Sequence, residues 1–258
     1  MKTGFLLAGL KGWDFLSRAH NDFDIAFVSS YRVKGTLDSS FEDIKGLCSD
    51  KGIAFIDRDR LGKDAFERAE LVFSLGWQYL IDGLDEKLIV LHDSLLPRFR
   101  GFSPTVAALL LGERRLGVTA FKPVEKMDAG PVLAQAGVDI EYPLKIKDAF
   151  SVLAGCYANT VKEVVEMASK EALKPAPQDE AKATYSIWLD EADYFIDWSW
   201  PSAKIKRFVD AVGWPYAGAM TLYNGREITI DEVEIADDLC FENRQHGKAL
   251  SLKEISRK

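Results

Sequence analysis

Short apolar runs at residues 4–8, 24–29, 53–56, 71–75 and 88–91 alternate with longer stretches whose apolar residues recur at helical spacing. A continuous apolar run bounded by turn residues reads as a strand buried on both faces. Strands alternating with helices predict an α/β fold: a Rossmann-like, mostly parallel sheet with helices on both faces. Helices are expected at 13–19, from Ser39 or Ser40 to about Asp50, at 63–69, and at 104–111, where Pro104 is pre-organised for the first turn. The longest helix is expected at 149–170, with Met167 on its core side. Two further strands, 117–123 and 132–141, bracket a turn at Met127-Asp128-Ala129-Gly130.

The pattern then changes. Residues 171–182 are polar, contain Pro175 and Pro177, and read as a linker. Trp188, Tyr194, Phe195, Trp198 and Trp200 crowd the stretch after it. An amphipathic helix follows at 201–212, and Asn224-Gly225 is the two-residue turn of a hairpin over 221–230. Residues 233–235 continue the alternation. The organisation expected is a catalytic domain at 1–182 and a small β-rich C-terminal domain at 183–258.

Composition narrows the class. A chain of 258 residues, 47% hydrophobic, suits a large domain with a smaller one attached. A net charge of −7 is unsuited to non-specific attraction to phosphate backbones. Cys48, Cys156 and Cys240 are odd in number and widely spaced, which suits reduced thiols in a cytoplasmic protein and gives no metal-type cluster. His20 and His246 lie in polar surroundings and read as solvated. The first apolar run is short and Lys11 follows it, so it reads as a strand rather than a signal peptide. No run approaches the roughly 20 apolar residues of a membrane span. Gly9 and Gly12 do not form the dinucleotide fingerprint, so a nicotinamide cofactor has little support.

The stretch 88–101 carries the candidate chemistry. It delivers His92, then Ser94, Arg98 and Arg100, to the carboxyl end of a strand, where open α/β sheets build their sites. Histidine accepts or donates a proton near neutral pH, and a nearby carboxylate favours its charged form. Asp128, in the turn after the next strand, is the candidate partner. The bland readings are a surface histidine and a turn-forming aspartate.

His92-Asp93-Ser94-Leu95-Leu96-Pro97 followed by Arg100-Gly101 resembles the signature of the formyltetrahydrofolate-dependent formyltransferases. That family includes glycinamide ribonucleotide, methionyl-tRNA and sugar-nucleotide enzymes. Gly117-Val118-Thr119 and Met127-Asp128-Ala129-Gly130 resemble its next strand and aspartate segment. The resemblance is strong over about residues 70–140 and returns more weakly at Ile196-Asp197-Trp198. It implies N10-formyltetrahydrofolate as formyl donor, His92 and Asp128 as catalytic groups, and a pteridine pocket between Trp77, Gln78, Tyr79, Leu80 and Val124, Glu125, Lys126. Ser94, Arg98 and Arg100 fall on the acceptor side; the arginines either bind a phosphate or lie on the surface. The family has Asn-x-His where this chain has Val90-Leu91-His92, and valine cannot donate a hydrogen bond.

Among acceptors, a tRNA enzyme should present a basic face. Residues 201–258 hold nine Lys plus Arg and nine Asp plus Glu. The expected acceptor is therefore the amine of an amino-sugar nucleotide, with neither nucleic acid nor membrane as partner. Methionyl-tRNA formyl transfer, formyltetrahydrofolate hydrolysis and a non-catalytic folate-binding module are the alternatives. Oligomeric state is left open, with a homodimer among the options.

Overall fold

The computed structural model describes residues 1–81, 86–236 and 249–257. In chain order its elements are β1 (Lys2–Leu7), α1 (Gly9–Ala19), β2 (Asp24–Ser30), α2 (Ser40–Lys51), β3 (Phe55–Asp57), α3 (Lys63–Glu67), β4 (Leu71–Leu75), β5 (Leu88–His92) and β6 (Arg100–Gly101). Then follow α4 (Pro104–Leu111), β7 (Arg115–Phe121), β8 (Val132–Asp139), α5 (Ile146–Ser169), β9 (Tyr185–Ser186), α6 (Ser202–Val212), β10 (Ala219–Tyr223), β11 (Arg226–Ala236) and β12 (Ala249–Arg257).

Seven strands form one sheet in the order β3-β2-β1-β4-β5-β7-β8. The first five pair in parallel, and β7 and β8 extend the sheet antiparallel. The chain moves outward from β1 to β3 and then returns to place β4 on the other side of β1. The order therefore reverses between β1 and β4, and the crevice beyond their carboxyl ends is where such sheets bind ligands.

Side-chain alternation along β1 splits the core into two layers. Phe5 and Leu7 face α1, α2 and α5, where the Phe5 ring lies 5.2 Å from Phe15 and 5.7 Å from Phe73. Leu6 faces the other side with Phe27, Val72 and Leu88, covered by Ala65, Phe66 and Ala69 in and around α3. The apolar stripe of α5, Ile146, Ala149, Phe150, Leu153, Tyr157, Val161 and Val164, follows helical spacing and is fully or almost fully buried. The C-terminal part is a three-stranded antiparallel sheet, β10-β11-β12, with α6 packed between β11 and α4. Asn224 and Gly225 both have positive φ, as the predicted two-residue hairpin turn requires.

Three expectations change. Helix α1 starts directly at Gly9, which brings Lys11 to the sheet's carboxyl edge. Residues 171–182 are no free linker: Ala176 exchanges two backbone hydrogen bonds of 2.8 Å with Val132. His20 is half-buried at the end of α1, its Nδ1 3.2 Å from the Leu16 carbonyl, rather than solvated. Cys48 and Cys156 are buried free thiols, and burial pushes the Cys48 thiol up to about 12. Cys240 and His246 lie outside the described residues. Among the described residues no helix is long and apolar enough to cross a membrane.

The short β6–β9 pairing ties the C-terminal stretch to the loop after β5. Gly101 is in the left-handed region at φ +99, and a Cβ there would stand 2.5 Å from the Ser186 carbonyl oxygen. Gly101→Ala is therefore expected to destabilise the protein by about 1–3 kcal/mol. Equilibrium denaturation checks this; an unchanged midpoint would show that the two segments separate at no cost.

Candidate functional site

Strand β5 ends at His92, and the loop after it is held from below. The Thr119 hydroxyl donates to the Ser94 carbonyl at 2.6 Å and accepts from the Leu96 amide at 3.0 Å. Gln135 donates to both Thr119 and the Leu96 carbonyl. Ser94 is buried and its hydroxyl donates to the Arg98 carbonyl at 2.6 Å. Ser94 thus closes the loop on itself and supports its geometry.

The loop returns its backbone to His92. The His92 Nε2 lies 2.7 Å from the Phe99 carbonyl oxygen. A carbonyl only accepts, so Nε2 carries hydrogen and the neutral ring keeps its lone pair on Nδ1. That Nδ1 faces the Asp128 Oδ2 at 3.7 Å, close enough for charge coupling but longer than a hydrogen bond. The same Oδ2 accepts the Gly101 amide at 2.7 Å. Asp128 has φ +49, in the left-handed region that aspartate adopts more readily than most side-chain-bearing residues, in the tight turn between β7 and β8. The predicted pair is therefore brought together, with His92 buried and the Asp128 side chain 16% exposed.

Asp93 anchors a second polar cluster on the α-helical side. Lys11 Nζ reaches its Oδ2 at 2.5 Å, the Thr105 hydroxyl reaches the same oxygen at 3.0 Å, and the Tyr157 hydroxyl reaches Oδ1 at 2.6 Å. Burial pushes this carboxyl up, but the Lys11 charge and the two donated bonds from Lys11 and Tyr157 outweigh it, and Asp93 stays below the usual carboxylate range. Tyr31, also buried, bonds the Gln78 amide through its hydroxyl oxygen at 3.1 Å and packs edge-on against Trp77 and Tyr79. Burial first, with Tyr79 nearby, pushes Tyr31 up to about 12, so it remains neutral.

Lys11, Asp93, His92 and Asp128 border one cavity of about 1080 Å³. Trp77, Gln78, Tyr79 and Leu80 line it, as do Val90, His92, Met127 and Asp128. Val124, Glu125 and Lys126 do not: they are exposed, and Lys126 is drawn to Glu180 at 2.6 Å. The other side of the expected pteridine pocket narrows to Met127 and Asp128. Of the two arginines, Arg98 takes the surface placement and pairs with Glu113; Arg100 takes neither expected placement. Arg100 is fully buried, bonded to Gln178 and Glu180, and shows no face to an acceptor. Lys11, Gln178, Phe102 and Trp188 at this site were not anticipated. Phe102 and Trp188 meet edge-on at the cavity wall. Only Lys11 carried a usable signal, its place just beyond the first strand.

Residues 77–149 match the family described as formyl transferase, and residues 189–254 match the formyl transferase C-terminal domain. The chain belongs to the formyl transferase family. A methionyl-tRNA formyltransferase from Roseiflexus sp. (strain RS-1) is 35% identical over 150 residues, which is 58% of this chain and 46% of that protein. The chain spans about half the length of the curated relatives it matches. The structure of a methionyl-tRNA formyltransferase from Clostridium thermocellum superposes with TM-score 0.67 and 14% identity over 100% of both chains. An N-formyltransferase from Helicobacter canadensis, in complex with folinic acid and dTDP-3-aminofucose, superposes with TM-score 0.65 and 15% identity over 94% of this chain and 90% of that one. At such identities the two structures show the fold.

Lys11→Met is expected to cost about 3–5 kcal/mol at neutral pH, because it leaves the buried Asp93 charge without its cation. Since the folded-state value of Asp93 lies below its unfolded value, its contribution is present above about pH 4 and lost as pH falls through the folded value. Denaturation curves from pH 7 to pH 3 should show the gap between wild type and variant closing. A gap independent of pH would mean that Lys11 acts by packing alone.

Proposed function

We propose that this chain transfers a formyl group from N10-formyltetrahydrofolate to an amine. The observation that carries this reading is the His92 ring, pinned through Nε2 to Phe99 with Nδ1 facing Asp128 in a cavity wall. The donor's ring system fits between Trp77–Leu80 and Met127–Asp128, where apolar walls and main-chain groups suit a flat heteroaromatic.

The amine attacks the formyl carbon, a tetrahedral oxyanion forms, and the C–N10 bond breaks as N10 takes a proton. Asp128 receives the proton lost by the amine, directly or through water, and delivers it to N10 as the C–N10 bond breaks. His92, once protonated at Nδ1, faces the charge that develops on oxygen. Val90 offers no donor where the family pattern has an asparagine, so His92 bears more of the stabilisation.

For the acceptor, the comparisons favour methionyl-tRNA over the amino-sugar nucleotide expected from charge, since relatives at 34–36% identity carry that name. The amino-sugar reading keeps one physical support: the cavity walls carry Asp38, Asp190, Glu191 and Glu227 against Lys11 and Lys34, a poor surface for a nucleic acid. Methionyl-tRNA is the first acceptor to test and a nucleotide-linked amino sugar the second. The hydrolase reading predicts formate release without either.

The experiment is single-turnover formyl transfer from N10-formyltetrahydrofolate by wild type, His92→Ala and Val90→Asn. His92→Ala is expected to lose about 10²–10⁴-fold in rate. Near wild-type turnover by His92→Ala would remove His92 from the chemistry. Activity gained only in Val90→Asn would mark the natural chain as a folate-binding module.

A further inference from the structure

We infer that Gln178, aimed by the buried Arg100, is a positioning residue that holds Asp128 in its working conformation. Its amide nitrogen donates to the Asp128 carbonyl at 2.8 Å and to the Gly130 carbonyl at 2.7 Å. Its amide oxygen accepts from Arg100 Nε at 3.1 Å and Nη2 at 2.8 Å. A guanidinium only donates and a carbonyl only accepts, so the side chain between them needs an acceptor end and a donor end. Glutamine supplies both, and the arginine fixes which end faces which partner.

The turn needs such a hold. Asp128 stands at φ +49, and an aspartate held in the left-handed region stays there only when its surroundings enforce it. Gly130 admits no side chain, since a Cβ would fall 1.7 Å from the Lys122 carbonyl oxygen. Glu180 completes the clamp. It takes Arg100 Nη2 at 2.7 Å and Lys126 Nζ at 2.6 Å, so the stretch 178–180 grips the loop after β5 and the β7–β8 turn together. The Arg100 and Lys126 bonds hold the Glu180 carboxyl down at about 2, so the clamp stays charged at any working pH. A segment that reads as a polar linker is part of the site's scaffold.

This deepens the proposed function by naming what places Asp128, but its test needs no turnover. The reporter is the Gly101 amide, which donates to Asp128 Oδ2. Hydrogen exchange at Gly101 is to be measured by NMR in wild type, Gln178→Ala and Gln178→Glu. Both variants are expected to exchange on the order of tenfold faster at Gly101, the worth of one hydrogen bond. Gln178→Glu keeps the acceptor for Arg100 but turns an oxygen toward two carbonyls, so it should match or exceed the alanine. Wild-type exchange at Gly101 in Gln178→Ala overturns the inference; if that variant does not fold, the same result in Gln178→Glu does. Where formyl transfer is measurable, kcat should fall with the donor KM unchanged, a split that loosened packing alone would not give. Faster Gly101 exchange in a chain that formylates no amine would leave this inference standing and sink the proposed function alone.

Discussion

Three consecutive residues after β5 hold both halves of the candidate acid–base pair through their backbone. The Phe99 carbonyl takes the His92 Nε2 hydrogen, and the Gly101 amide donates to Asp128 Oδ2. The residue between them, Arg100, is buried and bonded to residues nearly eighty positions away. Any shift of this segment would change the tautomer of the histidine and the aim of the carboxylate together. The segment itself is fixed by the stretch that pairs with it: Thr184 accepts the Arg100 and Phe99 amides, and the Ser186 carbonyl accepts the Phe102 amide.

This arrangement concentrates unusual backbone at the site. Phe99, Ser103 and Asp128 all have positive φ without being glycine, and each such residue costs on the order of 1–3 kcal/mol. The cluster persists because buried bonds over-determine it: Thr119 and Gln135 below the loop, Gln178 behind the turn, and Arg100 joining the two. Rigid placement of this kind lets a histidine and a carboxylate act on a bound substrate without reorganising. The cavity beside them opens at the crevice where the strand order reverses between β1 and β4, so the general logic of open α/β sheets and the local chemistry agree on one place.

Much of the fold was legible because it rests on local patterns. Continuous apolar runs marked the buried strands, the stripe from Ile146 to Val164 marked α5, and Asn224-Gly225 marked the hairpin. His92 and Asp128 were legible as polar residues delivered by strand ends. Roles set by distant partners were not. Arg100 is an arginine in a loop by sequence and a buried anchor in the structure, because Gln178 and Glu180 reach it from a polar, proline-bearing stretch with no pattern of its own. Val124, Glu125 and Lys126 lie outside the cavity wall for the same reason: position near a motif does not say which way a side chain turns. Lys11 pairs with Asp93 across 82 positions, and that pairing has no local signature.

The most direct measurement is a crystal structure of the protein with 5-formyltetrahydrofolate, an unreactive isomer of the donor. The pteridine is expected between Trp77–Leu80 and Met127–Asp128, with the formyl-bearing end directed toward His92 Nδ1 and Asp128. A folate bound in the neighbouring cavity beside Arg58 and Lys63, or one whose formyl-bearing end points away from His92, would contradict it.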